Sequence, residues 1–160
     1  MANSVSIILT ILISLLGSPI ALAQCIETNL TLSKRRYSAD DERKAKLKVK
    51  NLRNEEIKLP EWIYQGRPED RFSEVFLELM MKGSDGSYRK CEEILILYNY
   101  VLGGRSNYLI KKNKGRDYEV RLDQLYNLSI KGKYKVRAVV RFKELNCGEI
   151  ESSWEYFEIL

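Results

Sequence analysis

Residues 133–159 read KYKVRAVVRFKELNCGEIESSWEYFEI, and their alternation of apolar and charged side chains predicts a β-hairpin. In the register that best matches these side chains, opposite charges face each other on one side: Lys143 with Glu149, Arg141 with Glu151, and Arg137 with Glu155. Apolar pairs occupy the other side: Phe142 with Ile150, Ala138 with Trp154, and Val136 with Tyr156. Such cross-strand pairs each contribute roughly 0.2–1 kcal/mol. A slip by one residue would turn the charges into the core.

Other short segments alternate in the same way and predict strands at 29–33, 44–50, 57–59, 75–81, 87–90 and 116–122. The sequence GSDG at 83–86 predicts a hairpin turn. We expect a charged loop at 34–43 and one helical turn within 123–128. Many short strands without long helical patterns predict an all-β fold, an Ig-like antiparallel β-sandwich of about seven to nine strands, in a single domain over residues 24–160.

The first 23 residues carry no charge, and Ala21-Leu22-Ala23 forms the small-x-small pattern after which signal peptidase cuts. We therefore expect residues 1–23 to be a signal peptide and the protein to be secreted or periplasmic. One alternative is a retained membrane anchor, because the apolar run is long enough to span a bilayer. A second is a lipoprotein anchored through Cys25, although a lipobox needs a residue smaller than Gln24 before the cysteine.

Composition restricts the chemistry that the chain can perform. It contains 27 Lys and Arg, 22 Asp and Glu, and no His, which excludes Ser–His and Cys–His nucleophiles and His-based metal sites. Adjacent carboxylates remain at Asp40–Asp41, Glu55–Glu56 and Glu92–Glu93, but neighbours in a strand point to opposite faces. We expect no enzymatic activity, no cofactor and no metal. The net charge of +5 is too interspersed to predict nucleic-acid binding.

Three cysteines are present, and an exported domain can oxidise two of them to a disulfide. Cys25 opens the first strand and Cys147 lies in the loop of the last hairpin, at the same end of an Ig-like sandwich. We predict a Cys25–Cys147 disulfide with Cys91 free. The alternative pairs Cys91 with Cys147.

Residues 98–108 read YNYVLGGRSNY and contain the residue types that dominate binding loops. Tyr gives a large amphipathic contact, and Gly and Ser let the backbone adapt. The predicted binding residues are Tyr98, Asn99, Tyr100, Arg105, Ser106, Asn107 and Tyr108. The plainer interpretation is the end of a strand followed by a Gly103-Gly104 turn. The expected partner is a protein or a glycan outside the cytoplasm.

Four lysines alternate along the predicted strand 44–50, at Lys44, Lys46, Lys48 and Lys50. They could meet an anionic polysaccharide or lipid surface. We favour a solvated strand face that also discourages edge-to-edge aggregation, with at most peripheral contact with an anionic membrane surface.

Several short patterns resemble a known domain. They are Gly115 followed by Tyr118–Leu122, then Tyr126-Asn127-Leu128, Gly132–Val136, Leu47–Asn51 and Leu59–Trp62. Over roughly residues 30–159 the chain resembles the Ig-like domain that precedes the catalytic domain of deuterolysin-type zinc endopeptidases, and that also occurs in stand-alone secreted bacterial proteins. The resemblance implies the fold. It carries no catalytic residue, because a chain without histidine cannot form a His-Glu-x-x-His zinc site.

Gly132-x-Tyr134-x-Val136 also resembles the tyrosine corner of Ig sandwiches, in which the Tyr hydroxyl bonds to nearby backbone. The inter-sheet disulfide of antibody domains is absent, and Trp62 and Trp154 are the expected fillers of that space. The resulting functional expectation is a secreted, non-enzymatic binding or accessory module. The alternative is a secreted Ig-like proteinase inhibitor, whose loop signatures are half matched at Leu102-Gly103-Gly104 and Arg67-Pro68-Glu69.

Overall fold

The computed structural model describes residues 25–61, 63, 74–91, 106–124 and 126–160, and the expected signal peptide at 1–23 lies outside them. The described strands are β1 (Ile26–Leu32), β2 (Arg36–Tyr37), β3 (Lys44–Asn51), β4 (Ile57–Pro60), β5 (Val75–Lys82), β6 (Tyr88–Lys90), β7 (Asn107–Ile110), β8 (Gly115–Arg121), β9 (Gly132–Val140), β10 (Ile150–Glu151) and β11 (Glu155–Ile159). Short 3-10 turns span Leu122–Gln124 and Lys143–Leu145. The predicted all-β class is confirmed, with more strands than expected. Within the described ranges, no helix is long and apolar enough to cross a membrane.

The strands form two main sheets and a ribbon. The smaller sheet has the order β1-β3-β8, and the larger has the order β2-β11-β9-β5-β6, with β10 also paired to β9. Strands β4 and β7 form the ribbon. The two-residue strand β2 runs parallel to β11, and the other described pairings are antiparallel. Buried side chains from both sheets meet in one hydrophobic core, as in a β-sandwich.

The alternating pattern of β3 and β9 explains this core. In β3, Ala45, Leu47 and Val49 are buried while the intervening lysines point outward. In β9, buried Tyr134 and Val136 belong to the same kind of inward row. Because successive side chains of a strand point to opposite faces, each strand supplies one apolar row to the interior. The hairpin turn predicted at residues 83–86 is also confirmed, between β5 and β6.

The hydrogen bond expected of a tyrosine corner is present at the start of β9. The Tyr134 hydroxyl donates to the Ile130 carbonyl oxygen at 2.6 Å. Its ring stacks on Phe157 of β11 with the centroids 5.2 Å apart, and Tyr37 packs edge-on against the other side of Phe157 at 5.7 Å. Three buried aromatic rings therefore join β2, β11 and β9.

The register predicted for the last hairpin is wrong. Val136 lies opposite Glu155, not opposite Tyr156, and Val140 rather than Phe142 lies opposite Ile150. The backbones of Ala138 and Ser152 are hydrogen-bonded at 2.8 Å, so a small serine occupies the place predicted for Trp154.

Next to the turn the register already differs from the predicted one by two residues, and a β-bulge then changes it by one. Between the Ala138–Ser152 pair and the Val136–Glu155 pair, both Ser153 and Trp154 stand opposite Arg137. The extra residue turns Trp154 out of the core. On the outer face of the sheet, Trp154 lies half-buried beside charged side chains. The predicted packing of Trp154 on Ala138 is therefore wrong, and Trp62 lies outside the described residues.

The ion pairs of this hairpin change with the register. Arg141 pairs with Glu149 instead of Glu151. Arg137 pairs with Glu151 and with Glu78 of β5 instead of Glu155. The shift from the predicted register is two residues at β10, which keeps the predicted faces, and one residue at β11, which exchanges them. Tyr156 therefore points outward, and Glu155 lies opposite the buried Val136.

The segment 34–43 is not simply a charged loop. It contains β2, and Tyr37 is completely buried in the core. The Arg43 side chain is buried as well, and it donates to the carbonyl oxygens of Ser38, Ala39 and Asp41 at 3.3, 3.0 and 3.2 Å. A two-residue strand is too short to show an alternating pattern, so the sequence does not predict it.

Candidate functional site

The structure describes only the end of the predicted binding loop. Tyr98, Asn99, Tyr100 and Arg105 lie outside the described residues, as do both inhibitor-like loop motifs. Ser106 precedes β7. Asn107 and Tyr108 are the first two residues of β7, and they pair with β4. The Glu61 N–H donates to the Ser106 carbonyl at 2.9 Å, so the end of the predicted loop is tied to the ribbon.

Tyr108 is exposed and yet held in place. Its side chain is 43% exposed, and the guanidinium carbon of Arg116 lies 3.9 Å from the ring centroid. Arg116 in turn donates to the Glu61 carbonyl at 2.8 Å. The next residue, Leu109, is 63% exposed. We call Tyr108 and Arg116 the ribbon surface.

The core side of the ribbon is fixed to β8. The buried Tyr118 hydroxyl donates to the Pro60 carbonyl at 2.8 Å, at the end of β4. Leu59, which pairs with Tyr108, is fully buried. The ribbon surface therefore lies on a backbone anchored to the smaller sheet, a suitable support for recognition.

The predicted Cys25–Cys147 disulfide is confirmed, with the two Cα atoms 6.0 Å apart. It joins the residue before β1 to the loop that follows β9. Arg53 donates to the Leu145 carbonyl beside it. Cys91 is free, and the alternative that pairs it with Cys147 is wrong.

Burial raises the pKa of the Cys91 thiol from 9.0 to about 11. At pH 8 the thiolate fraction is then about a hundredfold smaller than for an unperturbed cysteine, and alkylation slows in proportion. We expect iodoacetamide to label Cys91 about a hundredfold more slowly in the folded protein than in urea, measured by mass spectrometry. Equal rates in the two conditions would contradict the burial of this thiol.

The lysine face of β3 is matched by acids from the flanking strands. Lys44 pairs with Glu119 at 3.7 Å, Lys46 with Asp117 at 3.5 Å, and Lys50 with Glu27 at 3.3 Å. These ion pairs are exposed and each contributes little to stability. Strand β3 is central, with β1 on one side and β8 on the other, so the predicted protection of a sheet edge is wrong. A groove of about 460 Å³ crosses this face, but the charged residues that line it form ion pairs with one another.

The candidate carboxylate pairs differ in their exposure and in their hydrogen bonds. Glu55–Glu56 and Asp40 are exposed, and Glu92–Glu93 lies outside the described residues. Asp41 accepts hydrogen bonds from the Lys34 ammonium and from the Ser38 N–H, which lower its pKa to about 2. The ionised carboxylate therefore holds the loop in place, which is a structural role. Among the described residues, no group of three acidic or cysteine side chains could hold a metal ion.

The structure reveals a second surface that the sequence did not predict. On the outward face of the larger sheet, Lys135 of β9 places its ammonium 4.6 Å from the Tyr88 ring centroid and 4.3 Å from that of Trp154. Tyr88 meets Tyr156 edge-on at 6.4 Å, and the Arg137 guanidinium carbon lies 4.8 Å from the Trp154 centroid. We call these five residues the aromatic–cationic face. The alternation of β9 places Lys135 outward, but only the fold brings in Tyr88, and the bulge turns outward both Trp154 and Tyr156, which the sequence predicted to point inward.

No protein-family model matches the sequence, and no curated protein matches it. Among solved structures, a β-glucosidase from Erythrobacter marinus matches with a TM-score of 0.41 and 9% identity, over 84% of this chain and 15% of that chain. A β-glucosidase from Listeria innocua matches with a TM-score of 0.38 and 11% identity, and a mutant of it in complex with laminaribiose with 0.39 and 11%. Each of these two matches covers 84% of this chain and 16% of the enzyme. The chain thus spans less than a fifth of the length of these enzymes.

Proposed function

We propose that this protein is a non-enzymatic binding module that acts outside the cytoplasm and recognises its partner through the ribbon surface and the preceding residues 98–107. The observation that carries the proposal is the exposed Tyr108 ring lying on the anchored Arg116 guanidinium. The partner is a protein or a glycan.

Contact chemistry supports this assignment. Tyr and Arg are enriched among the residues that dominate binding energy, because they combine apolar area with hydrogen-bonding groups. A ring already held by a cation loses little side-chain entropy when a partner covers it.

The disulfide supports the extracytoplasmic part of the proposal, because structural disulfides persist in oxidising compartments. The signal-peptide pattern of residues 1–23 points the same way. The Cys25 sulfur is bonded to Cys147, so it is not available for the thioether of a lipoprotein anchor. We therefore favour a secreted or periplasmic protein without a lipid on Cys25.

The variant Tyr100→Ala/Arg105→Ala/Tyr108→Ala tests the proposal. We expect it to lose capture of a partner from the cell-envelope and secreted fractions of the source organism, because it removes two rings and a cation from the proposed binding segment. Its melting temperature should fall by less than about 4 °C, since ~1 kcal/mol shifts the Tm of a domain of this size by roughly that amount. Capture is measured by affinity purification and quantitative mass spectrometry, and the Tm by circular dichroism.

The matched control is Thr31→Ala/Lys48→Ala, which alters two exposed positions of the smaller sheet. It should retain the captured partner. If the triple variant captures the same partner as the wild type, the ribbon surface is not the site. A panel of cysteine, serine and metalloproteases decides the inhibitor alternative, because an inhibitor lowers turnover in stoichiometric proportion.

A further inference from the structure

The aromatic–cationic face carries three large rings on the solvent side of the larger sheet, where they are not required for packing of the core. They come from two distant parts of the chain: Tyr88 from β6, and Trp154 and Tyr156 from the bulge and the start of β11. Tyr156 is 55% exposed, and Tyr88 and Trp154 are half-buried. Lys135 lies among them, opposite Tyr156 in the register of β9 and β11.

This face also has cations without acidic partners. Within the described part of the chain, Lys82, Lys133 and Lys135 form no ion pair, and Lys82 faces Tyr88 across the β5–β6 pairing. Arg137, in contrast, is engaged by Glu78 and Glu151. The face therefore combines exposed rings, three available ammonium groups and carboxylates held in ion pairs.

We propose that the aromatic–cationic face binds acidic polysaccharide, a polymer whose sugar rings carry both carboxylates and hydroxyls. The apolar C–H face of a sugar ring packs on an aromatic ring, as other apolar groups do. The ligand carboxylates pair with Lys82, Lys133 and Lys135 in charge-assisted hydrogen bonds. This surface lies on the larger sheet and is separate from the ribbon surface, so the inference does not depend on the proposed function.

The carboxylates of the face favour a sugar over a purely anionic partner. Glu78, Glu151 and Glu158 accept hydrogen bonds, and sugar hydroxyls donate them. Single-stranded nucleic acid needs rings on which successive bases can stack, whereas the Tyr88 and Tyr156 planes are 71° apart.

The test measures the dissociation constant for polygalacturonate by isothermal titration calorimetry at about 0.15 M salt, where exposed charges are largely screened. We expect the wild type to bind polygalacturonate and not uncharged dextran. The substitutions Lys135→Gln and Tyr156→Ala should each weaken binding about tenfold, the effect of losing one charge-assisted or aromatic contact.

Lys48→Gln is the matched control, because it removes the same charge from an exposed position on the other sheet. It should change the dissociation constant by less than about twofold, and Tyr108→Ala, on the ribbon surface, should do the same. Equal losses for Lys48→Gln and Lys135→Gln would show nonspecific charge attraction and overturn the proposal. Absence of polygalacturonate binding, or tighter binding of oligothymidylate or phosphatidylserine vesicles through Lys135 and Tyr156, would also overturn it. All variants are first checked for an unchanged circular dichroism spectrum.

Discussion

Replacing Cys25 and Cys147 together by serine is expected to lower the free energy of unfolding by about 4–5 kcal/mol. The bridge joins residues 122 positions apart, so it removes a large loop-closure entropy from the unfolded chain. In the folded protein it ties the start of β1 to the loop after β9, and thus holds the smaller sheet to the larger one. The measurement is urea unfolding of oxidised wild type and variant, followed by circular dichroism.

The control for this prediction is Cys91→Ser. This cysteine is free and only half-buried, so its replacement should cost less than about 1.5 kcal/mol. Reduction of the wild type should reproduce the double variant. A double variant as stable as the oxidised wild type, or a non-reducing peptide map with Cys91 in the bridge, would contradict the structure.

Strands that alternate without interruption could be predicted closely from the sequence. The segment predicted at 44–50 became β3 (Lys44–Asn51), and the one at 75–81 became β5 (Val75–Lys82). In β3, local periodicity and burial agree, so the inward row is unambiguous, whereas in β5 the consecutive Val75, Phe76 and Leu77 are all buried and the sequence predicts only the bounds of the strand. The last hairpin shows the limit of this reasoning. The sequence predicts the hairpin itself, but the predicted register and the predicted partners of Arg137 and Arg141 are wrong, because the register differs next to the turn and a bulge, which has no period, changes it again.

The candidate sites show even more clearly that local sequence patterns do not predict contacts made by the tertiary structure. The disulfide could be predicted because fold topology places Cys25 and Cys147 at one end of the sandwich. The aromatic–cationic face could not, since Tyr88 is distant in sequence from Lys135 and Tyr156, and the bulge that turns Trp154 and Tyr156 outward has no sequence pattern. Likewise, Tyr37 sits among charged residues in the chain, and only the pairing of β2 with β11 places it in the core. Contacts of this kind depend on tertiary structure and leave no local pattern.

Those buried aromatic contacts also predict the second large effect, a loss of about 3–5 kcal/mol on replacing Phe157 by alanine. Phe157 is buried between Tyr37 and Tyr134, stacked on one ring and edge-on to the other. Its removal leaves a cavity and deprives both tyrosines of a packing partner. Tyr37 further accepts a hydrogen bond from the Lys34 N–H at 3.2 Å, so its displacement would loosen the chain entering β2.

Two substitutions make this prediction specific. Phe157→Leu refills most of the volume and should recover more than half of the lost stability, because the cavity contribution shrinks with it. Tyr156→Ala removes a ring of similar size from the next position, but that ring is exposed, so the free energy of unfolding should change by less than about 1 kcal/mol. The free energies are measured by urea unfolding, and near-ultraviolet circular dichroism follows the tyrosines. If Phe157→Ala and Tyr156→Ala cost the same, the three-ring cluster does not hold β2 to the larger sheet, and the inward row of β11 is assigned to the wrong face.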